Sequence, residues 1–565
     1  MEKLGAGRSR LGEERALRYR GLMLLRHCVR PDLPPLAWLL EIDGRAENHQ
    51  LHCGPSVITT PSAFFEGAWP GRLGEMDFTA AAEVFGSGGA FGPEGWTIVT
   101  PSTTLEAVFC RRDGDVVCIS NSLPFLLAHR GDALDPGFLD YHRTFFDIIH
   151  GIGRSPIVFP SRQCAAIRGY FHSNFVVGPS LEIAAKPKPG APHFASFAAY
   201  RGYLTATVKA TLDNAADPAR PAPYTALTTA SRGYDSVAGA VIAREAGGKD
   251  AITHGYARRA FGKMDSDSGE EIADALGLDV RVFDRTAYLD NPNLPANPEA
   301  EFLSHGLEGV DVNFLSFEPV LPHRVLFTGV HGDTIWDKNK QPNAVMARGD
   351  LSGASLGEFR RRVDFIHLPL PFVGALRHSD LHAIANSPEL APYSIGGGYD
   401  RPLPRRIAEE AGIARSAFGM AKKATALLFF NFQPGLSDRL SRSTRQSLQS
   451  FAATWRLSLA QRLHLALNAV TAGAVDLIRL FEKRSGIARR LGLGVPLGLL
   501  LSELDLGTVD TPMTVMTLHW AMTEMTARYR AALEGASRLI PTADRRIMAP
   551  ERPEARPNDE LGWVR

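Results

Sequence analysis

A chain of 565 residues is long enough for two or three domains and a large buried core. Lys plus Arg (62) all but cancels Asp plus Glu (61), so no global field points to nucleic acid or an anionic membrane. The five cysteines, Cys28, Cys53, Cys110, Cys118 and Cys164, lie in the first third without a C-x-x-C pair or a metal-like spacing, and reduced core thiols are expected.

The Arg-rich start includes Glu2, Glu13 and Glu14, and the apolar run Gly21 to Leu25 is too short for a signal sequence. Residues 1 to about 185 read as short strands with turns, an α+β pattern. Leu105 to Arg111 and Asp115 to Ser120 flank Arg112-Asp113-Gly114 as a hairpin. Leu123 to Arg130 and Pro136 to Ile149 have helical spacing, and Gln163 to Val177 returns to strand character. Lys186 to Pro192 is a stiff Pro-rich linker, so a domain boundary is placed at about residue 190. Beyond it Phe197, Tyr200, Leu204, Val208 and Leu212 share one face of a helix.

The segment Tyr224 to Gly247 organises the rest. An apolar strand up to Ala230 and a helix from Val237 to Ala246 are joined by Ser231, Arg232, Gly233, Tyr234, Asp235 and Ser236. Such a loop lies at the carboxyl edge of an α/β sheet, where N–H groups and hydroxyls converge on an anion. Asp235 would repel a phosphate unless a divalent cation lay between them. Further strands are predicted at Ala251 to Tyr256, Asp279 to Phe283 and His323 to Thr328, with a helix opened by Ser268-Gly269-Glu270-Glu271. That alternation predicts a parallel sheet with right-handed crossovers. The last strand runs into Gly329-Val330-His331-Gly332-Asp333-Thr334, where two glycines permit close backbone approach beside a second carboxylate.

Ser231 to Ser236 resembles the S-G-G-x-D-S pyrophosphate loop of the N-type ATP pyrophosphatases, the group of asparagine synthetases and β-lactam synthetases. Gly329 to Thr334 resembles their G-x-G-A-D-E loop, with Thr334 in place of the Glu. Arg232 stands at the second-position Gly: costly if that position needs φ > 0, and otherwise a cation beside the leaving pyrophosphate. The region with Ser120 to Leu123 and Arg168 to Phe171 resembles the end of the glutaminase-type domain that precedes such modules. Glu2, not a nucleophilic Cys, follows Met1, so this domain is expected to lack glutaminase activity. Pro369 to Val373 is similar to the family's P-F-L-D segment without its Asp, and a basic stretch from Pro402 to Arg406 precedes Lys422 and Lys423.

The resemblance therefore implies three parts. Residues 1–190 form a degenerate glutaminase-type (Ntn-like) αβ sandwich. Residues 191–433 form a parallel-sheet ATP pyrophosphatase domain, and residues 434–565 a helical extension packed on it, ending in a disordered tail. It also implies an ATP-dependent synthetase that adenylates a carboxylate and passes the acyl group to an amine or ammonia. Ser231, Arg232, Gly233, Tyr234, Asp235, Ser236, Gly329 and Gly332 would hold ATP, Asp235 and Asp333 would bind Mg2+, and Lys422 or Lys423 would be catalytic. Partners would be small molecules, with no nucleic acid or membrane, in a cytoplasmic protein; a homodimer is compatible with this. A base-modifying enzyme of the same fold would want a basic surface and a working cysteine. A nucleotide-binding or scaffold subunit without turnover is the other alternative. The stripes Leu459, Leu463, Leu467, Val470 and Leu518, Met522, Met525, Tyr529 are expected to be packing faces.

Overall fold

The computed structural model describes residues 25–46, 48–258, 264–285, 287–290, 300, 311–342, 345–349, 351–420, 441–468, 470, 512–535 and 538–539. It holds a largely antiparallel N-terminal unit and a separate all-parallel sheet. Among the described residues no helix is long and apolar enough to cross a membrane.

In the N-terminal unit an eight-stranded and a six-stranded sheet lie face to face. Alternate residues from both point inward. Trp38, Leu40 and Ile42 from Trp38–Asp43 meet Phe64, Trp96, Ile98 and Phe175 from the other sheet, as period-two alternation requires. The one parallel pair in these sheets joins Arg26–Val29 to Gln50–Cys53. The outer face of the eight-stranded sheet is covered by helices Leu123–His129 and Tyr141–Phe146. The predicted hairpin is present as Val108–Asp113 and Val116–Ser120, but its turn is Gly114-Asp115, with Gly114 at φ 60°. The segment predicted from Pro136 to Ile149 is helical only over Tyr141–Phe146, then tightens to a 3-10 turn at Asp147–His150.

The linker forms no helix or strand, as its prolines dictate, yet it is tied down. Lys188 Nζ donates to the Thr100 carbonyl at 2.5 Å and to Asn174 Oδ1 at 2.8 Å. Helix Phe197–Ala215 follows, burying all five of its predicted core residues.

The parallel sheet has the order Asp279–Phe283, Asp250–His254, Thr225–Thr229, Arg324–Thr328, Phe365–Pro369. Four of these strands were predicted. The fifth, Phe365–Pro369, was not predicted; it ends where the segment Pro369 to Val373 begins, whose Leu370–Phe372 form a 3-10 turn. Its Pro369 closes the strand, where a missing N–H costs the ladder least. Val325 and Phe327 face one core, with helices Phe197–Ala215 and Tyr234–Glu245, while Leu326 faces the other, with Val312–Val320 and Gly357–Val363.

The two units share buried polar contacts. Arg360 of helix Gly357–Val363 is fully buried and donates to Glu66 at 2.8 and 2.9 Å and to Glu106 at 2.8 and 3.0 Å. The C-terminal helix Pro512–Glu534, expected on the synthetase-like domain, lies along Leu123–His129 of the N-terminal unit. Phe125 and Tyr529 stack there at 4.8 Å, while the Tyr529 hydroxyl reaches Glu358 at 2.6 Å. Residues Arg538–Leu539 add a strand beside Arg26–Val29. The Leu518 stripe is buried as expected. The Leu459 stripe is not: Leu459 is 85% and Val470 71% exposed. The expected tail, from Ala549 on, lies outside the described residues.

Candidate functional site

In the parallel sheet, the connection leaves Thr225–Thr229 toward one edge and later resumes on its other side at Arg324–Thr328. Between those two strands the order reverses, and the crevice beyond their carboxyl ends is where doubly wound sheets bind ligands. The two loops singled out by sequence emerge at this point, one from each strand.

After Thr229 the chain turns at Ala230, whose N–H is held by the Ile252 carbonyl at 2.8 Å. Ser231 Oγ accepts from the Gly233 N–H at 3.2 Å and lies 2.7 Å from Ser236 Oγ. Helix Tyr234–Glu245 begins immediately, with Gly233 as its N-cap. Gly233 has φ −83°, so backbone freedom does not explain it. A Cβ there would make only ordinary contacts, 3.4 Å from Ser231 Oγ and 3.8 Å from Ser236 Oγ, so no clash requires glycine either. Arg232 does not take a positive φ, so the backbone tolerates its side chain. That side chain turns to exposed Glu271, at 3.2 Å, which accounts for the cation without placing it in the crevice.

Asp235, in the first helical turn, is pressed against the second loop. A Cβ on Gly329 would lie 2.5 Å from Asp235 Cβ, and one on Gly332 2.3 Å from Asp235 Cγ. Both positions therefore require glycine. His331 between them takes φ 75° and stacks on Phe372 at 4.8 Å, and Gly332–Ile335 forms one helical turn that carries Asp333. Thr334 is half-buried with its N–H on the His331 carbonyl at 3.1 Å.

Two buried arginines complete the site: Arg405, inside the basic stretch Pro402 to Arg406, and Arg401, just before it. Arg401, the residue before helix Pro402–Glu410, pairs with Asp235. Burial alone would lower its pKa, but Asp235 first, then Tyr399 and Asp333, raise it, so Arg401 is a permanent cation between the two loops. Arg405 Nη2 donates to the Tyr234 hydroxyl at 2.6 Å, its guanidinium 4.8 Å from the Tyr234 ring centre. Tyr234 thus belongs to the loop's support, with its ring buried. The neighbouring Asp400 is driven up by burial. Bonds from Ser394, Lys338 and the N–H groups of Ile395 and Gly396 outweigh that and hold it below the usual carboxylate range. A cation needed beside two acid-bearing loops was the signal that could have marked Arg401.

The chain beyond this helix returns to the first loop. Gly419 N–H bonds the Arg232 carbonyl at 2.9 Å, and Phe418 meets Tyr234 edge-on at 5.9 Å. Lys422 and Lys423 lie outside the described residues. The structure thus brings together Ser231, Gly233, Asp235, Ser236, Gly329 and Gly332, with Asp333 close enough to act on Arg401.

Hydroxyls and helix N–H groups suit a phosphate, and carboxylate oxygens suit a hard divalent ion. The Ser231 and Ser236 hydroxyls beside the start of helix Tyr234–Glu245 are donors of the kind a pyrophosphate moiety would need. Asp235 and Asp333 would supply carboxylate ligands to Mg2+, with Arg401 sharing the charge of Asp235. A scan against protein-family models finds no match, and a search of curated proteins finds none either.

Proposed function

We propose that the chain is an ATP-dependent, AMP-forming synthetase of the asparagine synthetase type. A substrate carboxylate attacks the α-phosphorus of ATP, pyrophosphate leaves, and an amine or ammonia then attacks the acyl carbon and releases AMP. Ser231, Ser236 and the N–H groups opening helix Tyr234–Glu245 orient the leaving pyrophosphate. Asp235 and Asp333 would hold Mg2+, which offsets charge on the phosphates. Arg401 adds a fixed cation where negative charge accumulates. The observation that carries this reading is the meeting of two acid-bearing loops at the switch point, with Gly329 and Gly332 shaped around Asp235.

The test is Mg2+-dependent release of AMP and pyrophosphate from ATP across a panel of carboxylate and amine pairs. Asp235→Asn is expected to cut turnover by roughly two to three orders of magnitude. ADP and phosphate as products would overturn the mechanism. Lys422→Met and Lys423→Met keep the stem and remove the charge; one of them is expected to lower kcat more than it raises KM for ATP. A second reading, a nucleotide-binding subunit without turnover, is favoured by the outward turn of Arg232 toward Glu271 and by Thr334. ATP binding with no pyrophosphate release under any substrate pair would select it.

A further inference from the structure

A second group of donor atoms lies in the N-terminal unit, on the sheet face covered by helix Leu123–His129. Glu41 and Cys118 are opposed across the strands Trp38–Asp43 and Val116–Ser120, so their side chains leave the sheet on one face. His129, the last helical residue, comes down over them with Nε2 2.7 Å from Glu41 Oε2, and Cys118 Sγ lies 3.9 Å from the same oxygen. One donor atom from each of the three falls within 4.8 Å of the others. His52 stands opposite Leu39, two residues from Glu41, and so shares this face. Its ring centre is 5.2 Å from that of His129. It is buried, 9% exposed, and among the described residues its Nδ1 has no hydrogen-bond partner. An imidazole nitrogen buried without a partner calls for a cause.

Nucleophilic chemistry does not fit. The histidine that would activate the thiol is engaged by the Glu41 carboxylate at 2.7 Å and not by Cys118 Sγ, so no Cys–His pair forms. The thiol, imidazole and carboxylate that converge here, with the His52 ring beside His129, are instead the donor types of a four-coordinate zinc centre. We propose that Glu41, Cys118, His129 and His52 bind one zinc-class divalent ion that fastens helix Leu123–His129 to the eight-stranded sheet. One thiolate and one carboxylate balance the ion's charge, and the thiol proton leaves to solvent on binding. Zinc bonds of roughly 2.0–2.3 Å set tetrahedral donors about 3.3–3.8 Å apart, so side-chain rotation must part Glu41 from His129, now 2.7 Å away, and bring His52 in. The surrounding charges are Arg130, whose Nη1 is 3.9 Å from Glu41 Oε2 while its Nε faces Asp113 at 3.1 Å, and Arg30 near His52.

The test uses the full chain, assayed for zinc as purified and then titrated with Co2+ after chelation. Expected are one tightly held equivalent and, with Co2+, a thiolate-to-cobalt charge-transfer band. Cys118→Ala is expected to abolish the band, His52→Asn and His129→Gln to weaken Co2+ binding by more than about tenfold, and Cys164→Ala to change nothing. Chelation should lower Tm of the parent and leave the Tm of folded Cys118→Ala unmoved. Should that variant fail to fold, His52→Asn carries the test through its affinity. Absence of a bound equivalent, a cobalt spectrum without the thiolate band, or unaltered Co2+ affinity in His52→Asn would each overturn the proposal.

Discussion

Arg401 has its guanidinium against Asp235 and feels Asp333, while being 3% exposed itself. Removing one member of a buried pair leaves the other charge uncompensated, at a cost of about 3 kcal/mol or more. Arg401→Met is therefore expected to lower stability by about that amount without Mg2+, and saturating Mg2+ is expected to restore part of the loss. Thermal unfolding with and without the ion measures both. An equal loss under both conditions would show that the ion does not share the carboxylates with Arg401. At this scale sequence marked the residues of each loop, because turn chemistry is local. It did not name Arg401, whose pairing spans 166 residues and follows from how helix Pro402–Glu410 packs.

Helix Pro512–Glu534 shows what periodicity can and cannot decide. Its stripe of Leu518, Met522, Met525 and Tyr529 predicts a buried face, and that face is buried. The identical argument for Leu459, Leu463, Leu467 and Val470 predicts packing that the described residues do not show. Spacing says that a helix has an apolar face; only docking says whether another surface meets it. Tyr529 fixes the first helix through two contacts, the stack on Phe125 and the hydroxyl on Glu358, which also receives Arg361 at 2.7 Å. Tyr529→Phe is expected to cost about 1–3 kcal/mol, the loss of a hydrogen bond to a buried carboxylate. Tyr529→Ala should cost about 3–5 kcal/mol, through the cavity it opens. Denaturant midpoints of the two variants check the order and the gap. A silent Tyr529→Ala would mean the helix does not depend on this contact.

At the scale of the whole molecule, the junction of the two units is expected to respond to pH. Glu83, from the N-terminal unit, accepts the Gly374 N–H at 2.9 Å, and burial pushes its carboxyl up to about 7. Because the folded form holds its proton more tightly than the unfolded chain, this contribution is complete below the unfolded value of 4.5 and lost as pH rises toward 7. The shift corresponds to on the order of 3 kcal/mol. Lys188, lowered by burial to about 7, acts in the opposite sense: its contribution is present above 10.5 and lost as pH falls through 7. Stability is expected to pass through a minimum near pH 7 from this pair, and Glu83→Gln to flatten the fall on the acid side. A pH series of unfolding midpoints for parent and variant decides it; parallel curves would remove Glu83 from the account.

What the sequence by itself determined is the alternation of strands and helices after residue 190, the two loops and their glycines, and the strand-rich character of the first unit. These follow from side-chain periodicity and turn chemistry, which act over a few residues. Only the tertiary structure decided the strand order that puts the two loops at one crevice, the pairing of Asp235 with Arg401, and the seating of the C-terminal helix on the N-terminal unit. Glu41, Cys118, His129 and His52 converge for the same reason. Strand register and helix docking bring together residues whose sequence spacing carries no metal signature, because distance along the chain is not distance in the fold.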